Sequence, residues 1–300
     1  MSTVTTAMAD VAFETSDALG EGPAWDPRTQ TLYWVDLLNK RLFQGDPTTG
    51  QFKARTLPYA ASRITLCDDD RLLFSFLRRP ALGTFDSERF ELIELGDAVI
   101  DKQRFNDGAC DSRGRLWTAS YDASISTASG RMVCIDGSQV VRKADGLTLP
   151  NGIRWSPDEK TLYYVDSRPG QVWAYDFKVD AAHLGERRLL IDYEGSGVKP
   201  DGCCADVEGC LWIAEVNRGR IARYTPEGVL DRVIEVPTSK PTSVSFGGAD
   251  LRTLYITSRT DGLSAEQLAA QPHAGRVFAA HTGTPGLPEH AFRTTTKEDK

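Results

Sequence analysis

Four short stretches of this chain place an oxygen-bearing side chain directly before a glycine and a run of small or apolar residues. They are Glu21-Gly22-Pro23-Ala24-Trp25, Asp107-Gly108-Ala109-Cys110, Asn151-Gly152-Ile153-Arg154-Trp155 and Asp201-Gly202-Cys203-Cys204-Ala205, with Asn106 one residue further out from the second. Carboxylate and amide oxygens are hard donors that suit Ca²⁺, Mg²⁺, Mn²⁺ or Zn²⁺, with water completing the coordination. An ion held by so few protein ligands keeps room for a substrate, polarises a carbonyl or phosphoryl oxygen and activates water, and a carboxylate beside it can serve as the base. Taken singly, Asn-Gly and Asp-Gly are ordinary tight-turn dipeptides. Glu21 before Gly-Pro is not a favoured turn residue, and four donors at one place in a repeat point to a shared site.

The repeat is what would bring them together. Six runs recur, Leu32-Tyr33-Trp34, Leu72-Leu73-Phe74, Leu116-Trp117-Thr118, Leu162-Tyr163-Tyr164, Leu211-Trp212-Ile213 and Leu254-Tyr255-Ile256, at intervals of 40, 44, 46, 49 and 43 residues. Each follows a turn signal such as Asp26-Pro27, Ser156-Pro157-Asp158 or Gly247-Gly248-Ala249-Asp250, so each unit opens with a hairpin. A period of about 40–50 residues built from short strands is the signature of a propeller blade. The pattern predicts an all-β, six-bladed β-propeller with four antiparallel strands per blade, in one domain over residues 1–300. Asp10-Val11-Ala12-Phe13-Glu14 precedes the first unit and is expected to supply the outer strand of the last blade, closing the ring. The polar tail, residues 293–300, is expected to be disordered. In such a ring the residues just before each inner strand converge on one mouth of the central channel. Arg63, Arg104 and Lys240 fall near the same level, either as binders of hydroxyls or a carboxylate or as solvated structural side chains. The aromatic runs, present in nearly every unit, are expected to form blade cores.

Composition excludes several classes. A net charge of −7 gives no electrostatic footprint for nucleic acid. No apolar stretch approaches the length of a membrane span, and the first residues lack a leader pattern, so a soluble, cytoplasmic protein is expected. The six cysteines show no C-x-x-C pairing and read as reduced core thiols. The four histidines lack zinc-site spacing. There is no G-x-S-x-G elbow, no phosphate-binding P-loop and no dinucleotide fingerprint.

The motifs Leu19-Gly20-Glu21-Gly22-Pro23, Arg104-Phe105-Asn106-Asp107-Gly108, Leu149-Pro150-Asn151-Gly152, Lys199-Pro200-Asp201-Gly202 and Lys240-Pro241-Thr242 together resemble the regucalcin/gluconolactonase family, which includes luciferin-regenerating enzymes. The resemblance spans almost the whole chain. It implies hydrolysis of a sugar lactone to the aldonic acid, in carbohydrate catabolism, with one divalent cation at the channel mouth. Position by position, it implies that Glu21, Asn151 and Asp201 bind the metal, that Asp201 is also the base, and that Arg104 and Asn106 contact substrate. Where relatives often carry a methionine and acidic residues after the third run, this chain has Tyr121-Asp122-Ala123-Ser124-Ile125-Ser126. Asp122 is the acid available there as a substrate contact. Two other readings compatible with a channel metal are an aryl-ester or organophosphate hydrolase and a non-enzymatic calcium-binding propeller.

Overall fold

The computed structural model describes residues 5–96 and 102–294. Six sheets are arranged as the blades of a β-propeller, and each contains one four-stranded antiparallel unit. The inner strands are Gly20–Asp26, Ala61–Leu66, Gln103–Cys110, Pro150–Trp155, Lys199–Ala205 and Pro241–Gly247 in blades one to six. In blades one to five the polypeptide then moves outward strand by strand, and in all six the aromatic run lies on the second strand, buried between neighbours.

Six apolar clusters hold the ring, each formed where two blades face one another. Between blades six and one, Phe13, Trp25, Trp34, Phe43 and Tyr255 pack together. The Trp34 ring stacks on Phe43 at 4.9 Å and on Phe13 at 4.8 Å between centroids. Trp117 and Trp212 are equally buried in their own clusters. Each such ring contributes on the order of 2–3 kcal/mol through apolar burial. The expectation that the runs form core is therefore met.

Ring closure also follows the expectation. Asp10–Phe13 pairs antiparallel with Val277–His281 as the outermost strand of blade six, in the register Val11↔Phe278 and Phe13↔Val277. One feature was not foreseen: Thr5–Met8 adds a fifth, parallel strand to blade five beside Leu230–Glu235. The chain's amino end thus bridges two blades before entering the first.

At the other end, the segment after Val277–His281 crosses the floor of the channel. Gly286, His290 and Phe292 form single bridges with Asp206, Cys110 and Cys67, at or just beyond the ends of three inner strands. Arg293 N donates to Gly114 O at 2.8 Å, and Thr294 N to Asp68 Oδ1 at 3.0 Å; the rest of the expected tail, residues 295–300, lies outside the described residues. All six cysteines are free and buried. No described helix is long and apolar enough to cross a membrane.

Candidate metal centre at the channel mouth

The slot residues do not precede the inner strands; they lie within them. In all six blades the pairing between inner and second strand slips at this level, for example between Glu21 and Ala24, Phe105 and Gly108, Asn151 and Ile153, and Pro200 and Cys203. A bulge inserts unpaired residues, bends the strand and re-aims side chains. Here it frees the slot residues from the ladder at the channel mouth. The dipeptides that read as turns are consequently bulges.

The glycines that follow have a packing reason. Gly22 has φ of +53°, and a Cβ there would lie 2.5 Å from Arg63 Cα in the next blade. At Gly202 a Cβ would overlap the Ser243 side chain. Inner strands converge too closely around the channel for any larger residue.

Hydrogen bonds fix the amides. Asn106 Nδ2 donates to Asn151 Oδ1 and to Pro150 O, both at 2.7 Å. Asn151 Nδ2 donates to Ser167 Oγ at 2.7 Å, and Ser167 Oγ donates to Pro200 O beside Asp201. The donated bonds commit the Asn151 amide nitrogen to Ser167 and leave its oxygen facing the mouth, with a lone pair beyond the one Asn106 uses. Ser62 Oγ holds Asn106 from below by donating to its carbonyl oxygen. The loops leading into the slots are braced by the aspartates that end the aromatic runs. Asp36 accepts from Ala18 N and Leu19 N, and Asp166 from Thr148 N and Leu149 N.

The acids are electrostatically strained. Removal from water, then the neighbouring charges of Asp201 and Asp107, push the Glu21 carboxyl well above its ordinary range. Burial also raises Asp201, to about 7; Arg259 opposes the rise and Asp107 adds to it. Among the described residues no Lys or Arg forms an ion pair with Glu21 or Asp201. Asp107 is turned differently, accepting from Gly108 N at 2.7 Å and facing Arg63 Nη1 at 3.5 Å inside the channel.

Two unpaired carboxylates and an oriented amide oxygen form a hard-donor set that fits a divalent cation. Among the described residues no group of three or more His, Cys, Asp or Glu side chains is placed to hold a metal ion; the donor set here has only two such side chains, with an amide as the third. Arg104 lies on the exposed face of its strand, paired across the ladder with Tyr121, and Asn106 follows two residues on. Asp122 is placed otherwise. Its carboxylate accepts from Ser124 N, Ser124 Oγ and Thr127 Oγ1, all within its own loop.

Four contributors were not singled out from the sequence. Ser167 carries no motif. Arg259, whose Nε is buried without a hydrogen-bond partner, follows the last aromatic strand and is drawn in only by ring closure. Asp36 and Asp166 did leave a trace, since each ends an aromatic-Val-Asp sequence.

Likeness to known proteins coincides with this geometry. The chain is 34% identical over 276 residues to 6-deoxy-6-sulfogluconolactonase of Pseudomonas putida and 33% identical over 283 residues to regucalcin of Gallus gallus. Both alignments span 91% of this chain and 94% of the relative. The solved structure of a calcium-binding protein, regucalcin, from Agrobacterium tumefaciens superposes with a TM-score of 0.91 at 27% identity, covering 98% of this chain and 100% of that one. A luciferin-regenerating enzyme superposes at 0.87 with 28% identity, over 95% and 99% of the two chains. The profile of the SMP-30/Gluconolactonase/LRE-like region matches residues 19–260, and the chain belongs to that family.

Proposed function

We propose that the protein hydrolyses a sugar lactone to its aldonic acid at the channel mouth, with one divalent cation held by Glu21, Asn151 and Asp201. The observation that carries this reading is two partly buried carboxylates close enough for Asp201 to raise the proton affinity of Glu21, neither in an ion pair among the described residues and with only Arg259 nearby to offset them, together with an Asn151 amide oriented by Asn106 and Ser167. The relative named 6-deoxy-6-sulfogluconolactonase supports the reaction class.

Held by Glu21, Asn151 and Asp201, a bound cation would supply Lewis-acid polarisation of the lactone carbonyl. The chain's own residues do the rest. Asp201 accepts a proton from the water that attacks the carbonyl carbon. The acyl C–O bond then breaks, the ring oxygen leaves as a hydroxyl carrying the proton that Asp201 had accepted, and the new carboxylic acid gives its proton to solvent, so one water is consumed and one proton released per carboxylate formed. Asn106 and Arg104 orient the sugar hydroxyls. Asp122, tied to its own loop, has at most a part at the rim of the pocket.

Oxygen donors suit Ca²⁺, Mg²⁺, Mn²⁺ and Zn²⁺ alike. The neighbour described as a calcium-binding protein favours calcium and also supports a second reading, a binding propeller without turnover. Six buried free thiols support a reducing compartment such as the cytoplasm. The test is acid release from a panel of pentonic and hexonic lactones, using metal-stripped protein to which each ion is restored singly. Metal-dependent acceleration over the spontaneous rate establishes the lactonase. Tight ion binding with no acceleration leaves the binding reading in its place, and turnover of aryl esters or phosphotriesters alone would redirect the substrate class.

A further inference from the structure

Beside the mouth, over blade two, lies a second depression of about 410 Å³. Three loops from successive blades build it. Lys40 comes from the turn after Thr31–Asp36, Arg78 and Arg79 from the turn after Leu72–Phe76, and Arg104 from the start of Gln103–Cys110, with Tyr59 and Leu77 between them. Backbone bonds tie these loops together: Leu57 N to Lys40 O at 2.7 Å, Leu77 N to Ala60 O at 3.1 Å and Phe105 N to Leu77 O at 2.8 Å. The basic groups are thus held on one frame.

Charge makes this depression unusual for the molecule. The chain carries a net charge of −7, yet among the described residues the lining has four cationic side chains and no Asp or Glu. Arg79 is spent on Glu94, at 2.9 Å. Lys40 and Arg104 form no ion pair among the described residues. Cations gathered on a concave, partly apolar wall focus a positive potential on whatever enters.

The depression is linked to the candidate metal centre through one strand, which carries Arg104 in the pocket wall and Asn106 beside Asn151. Arg104 and Asn106 flank buried Phe105 on the same side of one strand, about 7 Å apart along the chain, and Asn106 bonds Asn151 directly. A ligand that presents a carbonyl at the mouth therefore extends over Arg104 toward Lys40. We infer that this pocket receives an anionic group, a phosphate, sulfonate or carboxylate, at the end of the substrate remote from the reacting carbonyl, and that Lys40 sets the preference for it. The inference rests on the lactone-hydrolase reading for which end of the ligand lies at the mouth. An exposed tyrosine ring at position 59 offers an apolar wall for the carbons between.

The test compares glucono-lactone with its counterparts bearing a phosphate, a sulfonate or a carboxylate at carbon 6, using holoenzyme and the variants Lys40→Glu and Lys40→Arg. One charge-assisted contact corresponds to about tenfold or more. The expected result is a kcat/KM at least tenfold higher for one or more anionic lactones than for the neutral one, shrinking as salt is raised. Lys40→Glu should cut that ratio about tenfold or more, mainly through KM, and Lys40→Arg should retain it. A ratio at or below one, or a ratio untouched by Lys40→Glu, overturns the inference. The same comparison separates failure of the underlying reading, because no turnover of any lactone with any ion rejects the hydrolase itself. In that event the pocket is judged by calorimetry with 6-phosphogluconate against gluconate on metal-loaded protein. Tighter binding of the phosphorylated acid, lost in Lys40→Glu, upholds the anion pocket, and equal affinities reject it.

Discussion

Arg63, fully buried on the inner strand of blade two, donates through Nη2 to both carboxylate oxygens of Glu289, at 2.6 and 2.7 Å, across 226 residues of chain. Arg154 of blade four adds a third contact to the same carboxylate at 3.1 Å. The terminal segment that floors the channel is therefore fastened from inside by an acid set between two arginines. Burial alone would raise the Glu289 pKa, but Arg63 and Arg154 outweigh it and hold the carboxyl below its ordinary value.

Glu289→Gln should lower stability by about 2–3 kcal/mol, since it leaves the buried Arg63 guanidinium with only the longer, 3.5 Å contact to Asp107 as counter-charge. Because the folded pKa is depressed, the stabilisation is present above the unfolded value of about 4.3 and is lost as pH falls through the folded pKa. Urea midpoints at pH 7 and at about pH 3 check both parts. The variant should trail the wild type at neutral pH and converge with it in acid, and an unchanged midpoint at pH 7 would count against the fastening.

Metal-free protein should become less stable as pH rises from about 4 through 7. Glu21 and Asp201 have raised pKa values in the folded state, so the native protein holds protons that the unfolded chain has already released, and the slope of stability against pH is negative there. A divalent cation offsets the carboxylate repulsion, and by binding only the native state it stabilises further. Melting curves in chelator and in excess calcium should diverge increasingly above pH 5. Parallel curves would place the cation elsewhere.

Asp201→Asn should separate function from stability. Turnover should fall by at least about 10²-fold, the scale of losing a general base together with part of the metal's hold. In chelator the variant should melt at a higher temperature than the wild type, because one of the repelling acids is gone. Full metal-dependent activity in this variant would remove Asp201 from the chemistry.

Ser167→Ala should weaken cation affinity by about 10–100-fold, as losing a bond that orients a ligand typically does, since it frees the Asn151 amide to rotate. Isothermal titration with calcium reads the affinity, and circular dichroism should show the fold retained. Unaltered affinity would mean that the bond from Asn106 suffices to orient the amide.

The fold was legible in the sequence because a propeller repeats a local rule. Each run such as Leu32-Tyr33-Trp34 must bury its aromatic ring against the neighbouring blade, and each Asp/Gly/Pro turn must reverse the chain, so period and turn chemistry sufficed to predict six blades. Asp10–Phe13 was readable as the closing strand because the last unit lacked an outer one. Glu21, Asp107, Asn151 and Asp201 were marked by their equivalent positions, and the family resemblance implied which three of them bind metal. What the chain did not reveal locally depends on contacts between blades. An Asn-Gly pair has the same local preferences in a turn and in a bulge, and only the convergence of inner strands on a narrow channel selects the bulge. Ser167 acquires its role by reaching Pro200 in the next blade, Glu289 by entering the channel from the far end of the chain, and Lys40 and Arg104 by sharing a wall across 64 residues. Local sequence set which groups could act as oxygen donors and cations, and closure of the ring decided which of them meet.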